Sequence, residues 1–242
     1  MWRRYAADVT DLDAQPVVAF WIEYVSWLGA HVPLAVENLA PGATDELLDE
    51  VAVVVGHDLP ADIRALLRLN NGQRRPLLAT SDTGGEPAFP GTNLLSTDSI
   101  IKEWRGWRDL DADRWQDIGS TLAPEMVKPL YSCPHWVPVL SAVYRADYFG
   151  ADFDPEPAGT SGQIINFGRD EERHYLAAPS TTELIRLIVN QVMAGTGAVD
   201  EDDALQDGAW EGYRHAFEIV YYHRFPAGHP DHDALDYDDW NS

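Results

Sequence analysis

The sequence predicts an α+β domain, helices packed on a mostly antiparallel β-sheet. Three observations predict it. Helix-period apolar patterns recur between residues 16 and 107 on either side of a loop at 73–92, short β-rich runs cluster in 136–177, and a capped helix follows from Thr181. The segment 168–172, Gly-Arg-Asp-Glu-Glu, reads as a hairpin loop and makes the strands on either side of it antiparallel.

Pro16 opens the first helix, whose broad apolar stripe is Val17, Phe20, Trp21, Tyr24, Val25 and Leu28. Thr44 is placed to N-cap the next helix. Asp45 and Glu46 follow it, where the positive end of the helix dipole favours acids, and the core face is Leu47, Leu48, Val51, Val54 and Val55. Residues 59–72 form a punctuated helix. Pro60 suits the first helical position, Ile63, Leu66, Leu67 and Asn70 share one face, and Asn71-Gly72 stops it.

Residues 73–92 are rich in Gly, Pro, Ser and Thr and read as a loop, with at most a short strand at 77–79. A helix from Thr97 places Ile100, Ile101, Trp104 and Trp107 on adjoining faces. Residues 109–130 are acidic, then proline-punctuated, and are expected to be helical in part. Strands are expected at 136–140, 144–149, 163–167 and 174–177. Ser180 and Glu183 form a capping box for a helix presenting Leu184, Leu187, Ile188 and Val192 and ending at Gly195. After an acidic linker at 200–207, Trp210, Tyr213, Phe217, Val220 and Tyr221 recur at helical spacing and predict a final amphipathic helix. Beyond Phe225 a polar, acidic tail is expected to be mobile. The expected organisation is therefore an N-terminal helical segment over 1–38, a core over 39–195, linker and helix over 196–225, and tail over 226–242.

The chain has 242 residues, 45% hydrophobic and 11% aromatic, which excludes a wholly disordered protein. Forty acids against 17 Lys and Arg give a net charge of −23. A field of that sign repels nucleic acid and anionic membranes and speeds encounter with a basic protein. The single Cys133 has no intramolecular disulfide partner, and the apolar run 17–28 is too short to span a bilayer. The expectation is a soluble, cytoplasmic chain that binds no nucleic acid or membrane; its oligomeric state is left open.

Asp152-x-Asp154 puts two carboxylates on one face of an extended segment, a spacing that could meet a divalent cation. The plainer reading is that each satisfies backbone N–H groups in the turn formed by residues 155–162. His229-x-x-His232-Asp233 has metal-ligand character but sits in the tail. Cys133 and His135 share a face, yet acidic surroundings disfavour a thiolate. No nucleophile elbow, phosphate loop or zinc-protease motif is present. No cofactor and no metal are expected.

Read in order, these segments resemble a known family. The motif from Leu59 through Pro60, Asp62, Ile63 and Leu67 to Asn71-Gly72 resembles the entry motif of the SUKH superfamily, domains similar to the yeast cell-wall-synthesis regulator. So do Pro41-Gly42-Ala43 upstream, Leu94-Leu95-Ser96 leading to Trp104, Trp136-Val137-Pro138, Asp152-Phe153-Asp154-Pro155 with Gly162-Gln163-Ile164, and Ala178-Pro179-Ser180. The colinear resemblance spans 39–195. It departs at Pro179, at the insertion over 107–131 and at the tail after Gly195.

The resemblance implies a non-catalytic protein-binding module, foremost a bacterial immunity protein that neutralises a basic toxin domain of nuclease or deaminase type. Candidate partner contacts are an exposed sheet face around Tyr148, Asp152 and Asp154 with Trp136 nearby, the acidic loops, and the aromatics Trp104 and Trp107 of the preceding helix. One alternative is a regulatory scaffold in cell-wall or stress signalling, with the tail as binding element. Another is a metal-dependent enzyme using Asp152 and Asp154 or the tail histidines.

Overall fold

Five antiparallel strands carry the architecture. In a computed structural model, which describes residues 16–76, 84–108, 119–143, 147–169, 173–195 and 208–232 with Leu110, Glu171 and Leu205, they are β1 (Thr92–Leu94), β3 (Trp136–Ala142), β4 (Asp147–Asp152), β5 (Gln163–Gly168) and β7 (Leu176–Ala178). Their order is β1-β3-β4-β5-β7, each pair antiparallel. A separate two-residue parallel pair joins β2 (Ser120–Thr121) to β6 (Arg173–His174). The helices are α1 (Pro16–His31), α2 (Pro33–Asn38), α3 (Asp45–Val55), α4 (Ala61–Leu69), α5 (Thr97–Arg108), α6 (Thr181–Met193) and α7 (Ala216–Arg224). The α+β class is as the sequence predicts.

Both faces of the sheet are covered. On one, α5 packs on β3, and the Trp107, Tyr148 and Phe167 rings meet with centroids 5.5–6.3 Å apart. On the other, Phe217 of α7 stacks on Phe149 of β4 at 4.0 Å, and α1, α4 and α6 pack beyond. Every residue of β3, β4 and β5 is accordingly buried, where a half-exposed sheet would alternate. The near-continuous apolar run of β3 carried that signal, and the expectation of an exposed face is corrected by it.

Local punctuation follows side-chain chemistry. Thr44 accepts the Leu47 N–H at 3.4 Å and caps α3. Ser180 accepts the Glu183 N–H at 3.3 Å and caps α6, but the Glu183 carboxylate pairs with Arg186 instead of completing the box. Pro60 is the residue before α4 rather than its first turn. The expected last helix is broken: Trp210 closes a 3-10 turn (Gly208–Trp210), and α7 starts only at Ala216, capped by the His215 ring. The possible strand at 77–79, residues 109 and 111–118 of the segment expected to be part-helical, and 200–204 with 206–207 of the linker lie outside the described residues, and 124–127 form a turn.

The segment around α4 ties these elements together through buried or half-buried polar side chains. Asp62 Oδ2 accepts the Thr182 N–H at 2.8 Å and the Thr182 hydroxyl at 3.1 Å, tying α4 to the first turn of α6. Asn70 Oδ1 accepts the Trp21 indole N–H at 2.8 Å while its amide donates to Ala40 O. Asn71 Oδ1 accepts the Thr97 N–H at 2.8 Å and so serves the start of α5. Gln73 Oε1 accepts the Leu94 N–H at 2.8 Å, reaching β1.

Gly72 is required here. Its φ is +67°, and a Cβ would lie 2.3 Å from Ser96 N, so Asn71 and Gln73 are aimed only if this position has no side chain. Gly56, which ends α3 with φ +77°, faces open space. Urea unfolding is expected to show Gly72→Ala losing roughly 2–4 kcal/mol, and Gly56→Ala about 1–2 kcal/mol, the left-handed penalty alone.

Candidate functional site

The sequence motif at the end of β4 folds into a closed hydrogen-bond cage. Asp152 is fully buried; its Oδ1 accepts the Asp154 N–H at 2.9 Å and its Oδ2 accepts the Gln163 side-chain amide at 3.1 Å. The same Gln163 amide donates to Met126 O at 2.8 Å, and its Oε1 accepts the Thr160 N–H at 3.0 Å. Burial raises the Asp152 carboxyl above its ordinary value, with the Asp154 amide, Gln163 and the Trp136 indole drawing it back down. Asp154 instead faces outward, half-exposed, and pairs with Lys128 Nζ at 2.5 Å; that contact raises the ammonium's proton affinity. The two carboxylates therefore do not converge, and among the described residues no three His, Cys, Asp or Glu side chains group to hold a metal ion.

Beside this cage lies a contact the sequence reading missed. His57, in the connection after α3, meets His135, just before β3, Nε2 to Nδ1 at 2.7 Å. The His57 ring stacks on Phe153 at 4.5 Å and 3°. No sequence spacing announces a pair 78 residues apart. Cys133, next in the same loop, is buried, and burial pushes its thiol up to about 11, so it is protonated at neutral pH and a poor nucleophile.

The remaining expected contacts are interior. Trp104 and Trp107 are 4% and 5% exposed, Trp136 fully buried and Tyr148 4% exposed, so none presents a surface in this fold. Trp104 donates its indole N–H to Pro134 O at 2.9 Å; Tyr148 donates to Glu103 at 2.9 Å, and burial followed by Glu103 raises its phenol. Trp136 packs against Phe167 and the edge of His174. Burial lowers His174 to about 4; the neutral ring donates to one backbone carbonyl, Leu130 O lying at 2.7 Å. Of the six residues only Asp154 is presented outward. A sheet covered on both faces accommodates Trp104, Trp107 and Trp136 in its interior; Trp115 lies outside the described residues.

The tail histidines do not form a ligand pair. The His229 ring nitrogen accepts the Asp231 N–H at 3.1 Å, whereas His232 lies by Phe225 O at 2.7 Å. Tyr221 donates to Asp231 O, folding residues 229–232 back on α7, so the start of the expected mobile tail is held; 233–242 lie outside the described residues.

The match to a family model and to named relatives places the chain in the SUKH superfamily. Within it the chain belongs to the SMI1/KNR4 family (SUKH-1), whose family model matches residues 42–187. It is similar to the cell wall biosynthesis/cell cycle regulator smi1 of Schizosaccharomyces pombe, 29% identical over 202 residues, covering 78% of this chain and 38% of that protein. It is also similar to the glucan synthesis regulatory protein of Neurospora crassa (23% over 222 residues; 77% and 40%) and to the cell wall assembly regulator SMI1 of Saccharomyces cerevisiae (22% over 223 residues; 79% and 43%). The chain spans about two fifths of the length of these relatives. These and further matched relatives are fungal SMI1/KNR4 proteins and regulators, which overturns the expectation of a bacterial immunity protein paired with a toxin. Among the described residues no helix is long and apolar enough to cross a membrane.

The thiol gives a direct check on how closed this region is. At pH 8 a maleimide or disulfide reagent is expected to label Cys133 about 100-fold more slowly in the folded chain than in urea. Equal rates would mean an open, ionisable thiol.

Proposed function

We infer that this chain is a regulatory protein-binding module acting in cell-wall synthesis, with no catalytic step of its own. The observation that carries the reading is the family match over 42–187, a span that contains α3, α4, α5, the whole central sheet and the start of α6. Its relatives bear the names of wall regulators. The residues that looked most like chemistry support it physically. Asp152 is engaged with a backbone N–H and the Gln163 amide, and Cys133 is held protonated.

A net charge of −23 favours a basic partner, encountered faster at low salt because long-range attraction raises the association rate. Asp154, half-exposed at the end of β4, is the residue of the original six that can face such a partner. Contacts come from outward side chains, while the aromatic interior sets their positions.

Deleting the gene in the organism that makes the chain is expected to increase sensitivity to wall-digesting enzymes and wall-binding dyes. Re-expressing the chain restores tolerance, and so does Cys133→Ser. A deletion strain with unchanged wall composition and unchanged tolerance contradicts the reading, as does loss of rescue with Cys133→Ser in a chain that remains folded.

A further inference from the structure

We propose that His57 and His135 form a proton-operated latch that holds the α3–α4 connection against the loop entering β3. The two rings meet nitrogen to nitrogen at 2.7 Å, within hydrogen-bond reach and with room for one hydrogen between them. A neutral pair supplies that hydrogen from either ring. A singly charged pair keeps it, because an imidazolium donates to a neutral imidazole. A second proton puts hydrogens on both facing nitrogens, and the contact becomes repulsive.

The placement makes the contact mechanical. His57 directly follows Gly56, the left-handed end of α3, and its ring lies flat on Phe153 just past the end of β4. His135 accepts the Phe153 N–H on its own carbonyl at 3.0 Å, so the pair closes a ring through helix connection, strand-entry loop and strand exit. Among charged and titratable groups, Asp154, paired with Lys128, acts on His57, and Cys133, with Asp152, Asp154 and Lys128 around it, meets the His135 backbone. Asp154 favours a proton on His57, whereas burial and the facing ring oppose it.

The direction of the pH effect follows. His57 is held below the ordinary imidazole value by burial first and by the second ring next, with Asp154 pulling the other way. A base so lowered stabilises the fold fully above the ordinary value, and that contribution is lost as pH falls through the lowered one. The latch is closed at neutral pH and opens on acidification, freeing the Phe153 face and the segment leading into α4.

Nitrogen-15 NMR of the imidazoles in the full chain tests this, with urea unfolding from pH 8 to 5. The wild type is expected to show the His57 ring taking its proton below the ordinary imidazole value, with a hydrogen shared between the facing nitrogens of the two rings. In His57→Gln the acid shift of the urea midpoint falls by about half or more. A His57 ring that titrates at the ordinary value and shares no hydrogen with His135 overturns the proposal, whether or not the variant folds. So does an acid shift of the urea midpoint that is the same in wild type and His57→Gln.

Discussion

The carboxylate of Asp62 reaches across 120 residues of sequence to hold the first turn of α6, and the fold depends on this kind of bond. A helix start leaves N–H groups without partners, and burying them unpaired costs free energy. Asp62 supplies an acceptor for α6 from α4. A few residues on, Asn71 does the same for α5, Asn70 receives Trp21 of α1 and Gln73 receives β1. One short segment thus satisfies polar groups on four other elements. Its residue types are set by hydrogen-bond geometry, and Gly72 is set by the close approach of Ser96.

This arrangement determines what is left for function. With α5 over one face and α6 and α7 over the other, the sheet has no bare face among the described residues. The aromatic residues that resemble an interface are its mortar. Asp152 is likewise committed to the turn after β4, leaving Asp154 and Lys128 outside. In a body built this way, with a net charge of −23, any partner meets outward side chains rather than the aromatic interior.

Much of the fold was legible in the sequence, and for identifiable reasons. Thr44, Ser180 and the apolar stripe of α1 act locally, so their roles read directly from spacing. The antiparallel pairing of β5 with β7 followed from the loop between them, whereas the register shift between Ile164 and Ile165 did not. What was not legible depends on distant partners. Trp104, Trp107, Trp136 and Tyr148 have no local mark that separates an interface ring from a core ring; only the second layer over the sheet decides it. The break at Gly212 before α7 defeats a helical spacing that continues through it, because His215 caps a later start. The His57–His135 contact joins two lone histidines whose proximity exists only in the folded chain.

The central claim is that the segment from Asp62 to Gln73 is a polar staple rather than a binding surface. Equilibrium urea unfolding of Asp62→Ala, Asn71→Ala and Gln73→Ala beside the exposed Asp49→Ala measures it most directly. The account predicts a loss of about 2–4 kcal/mol for each of the first three, since each strands buried backbone donors, and less than about 1 kcal/mol for the exposed change. Losses equally small at all four positions would contradict it.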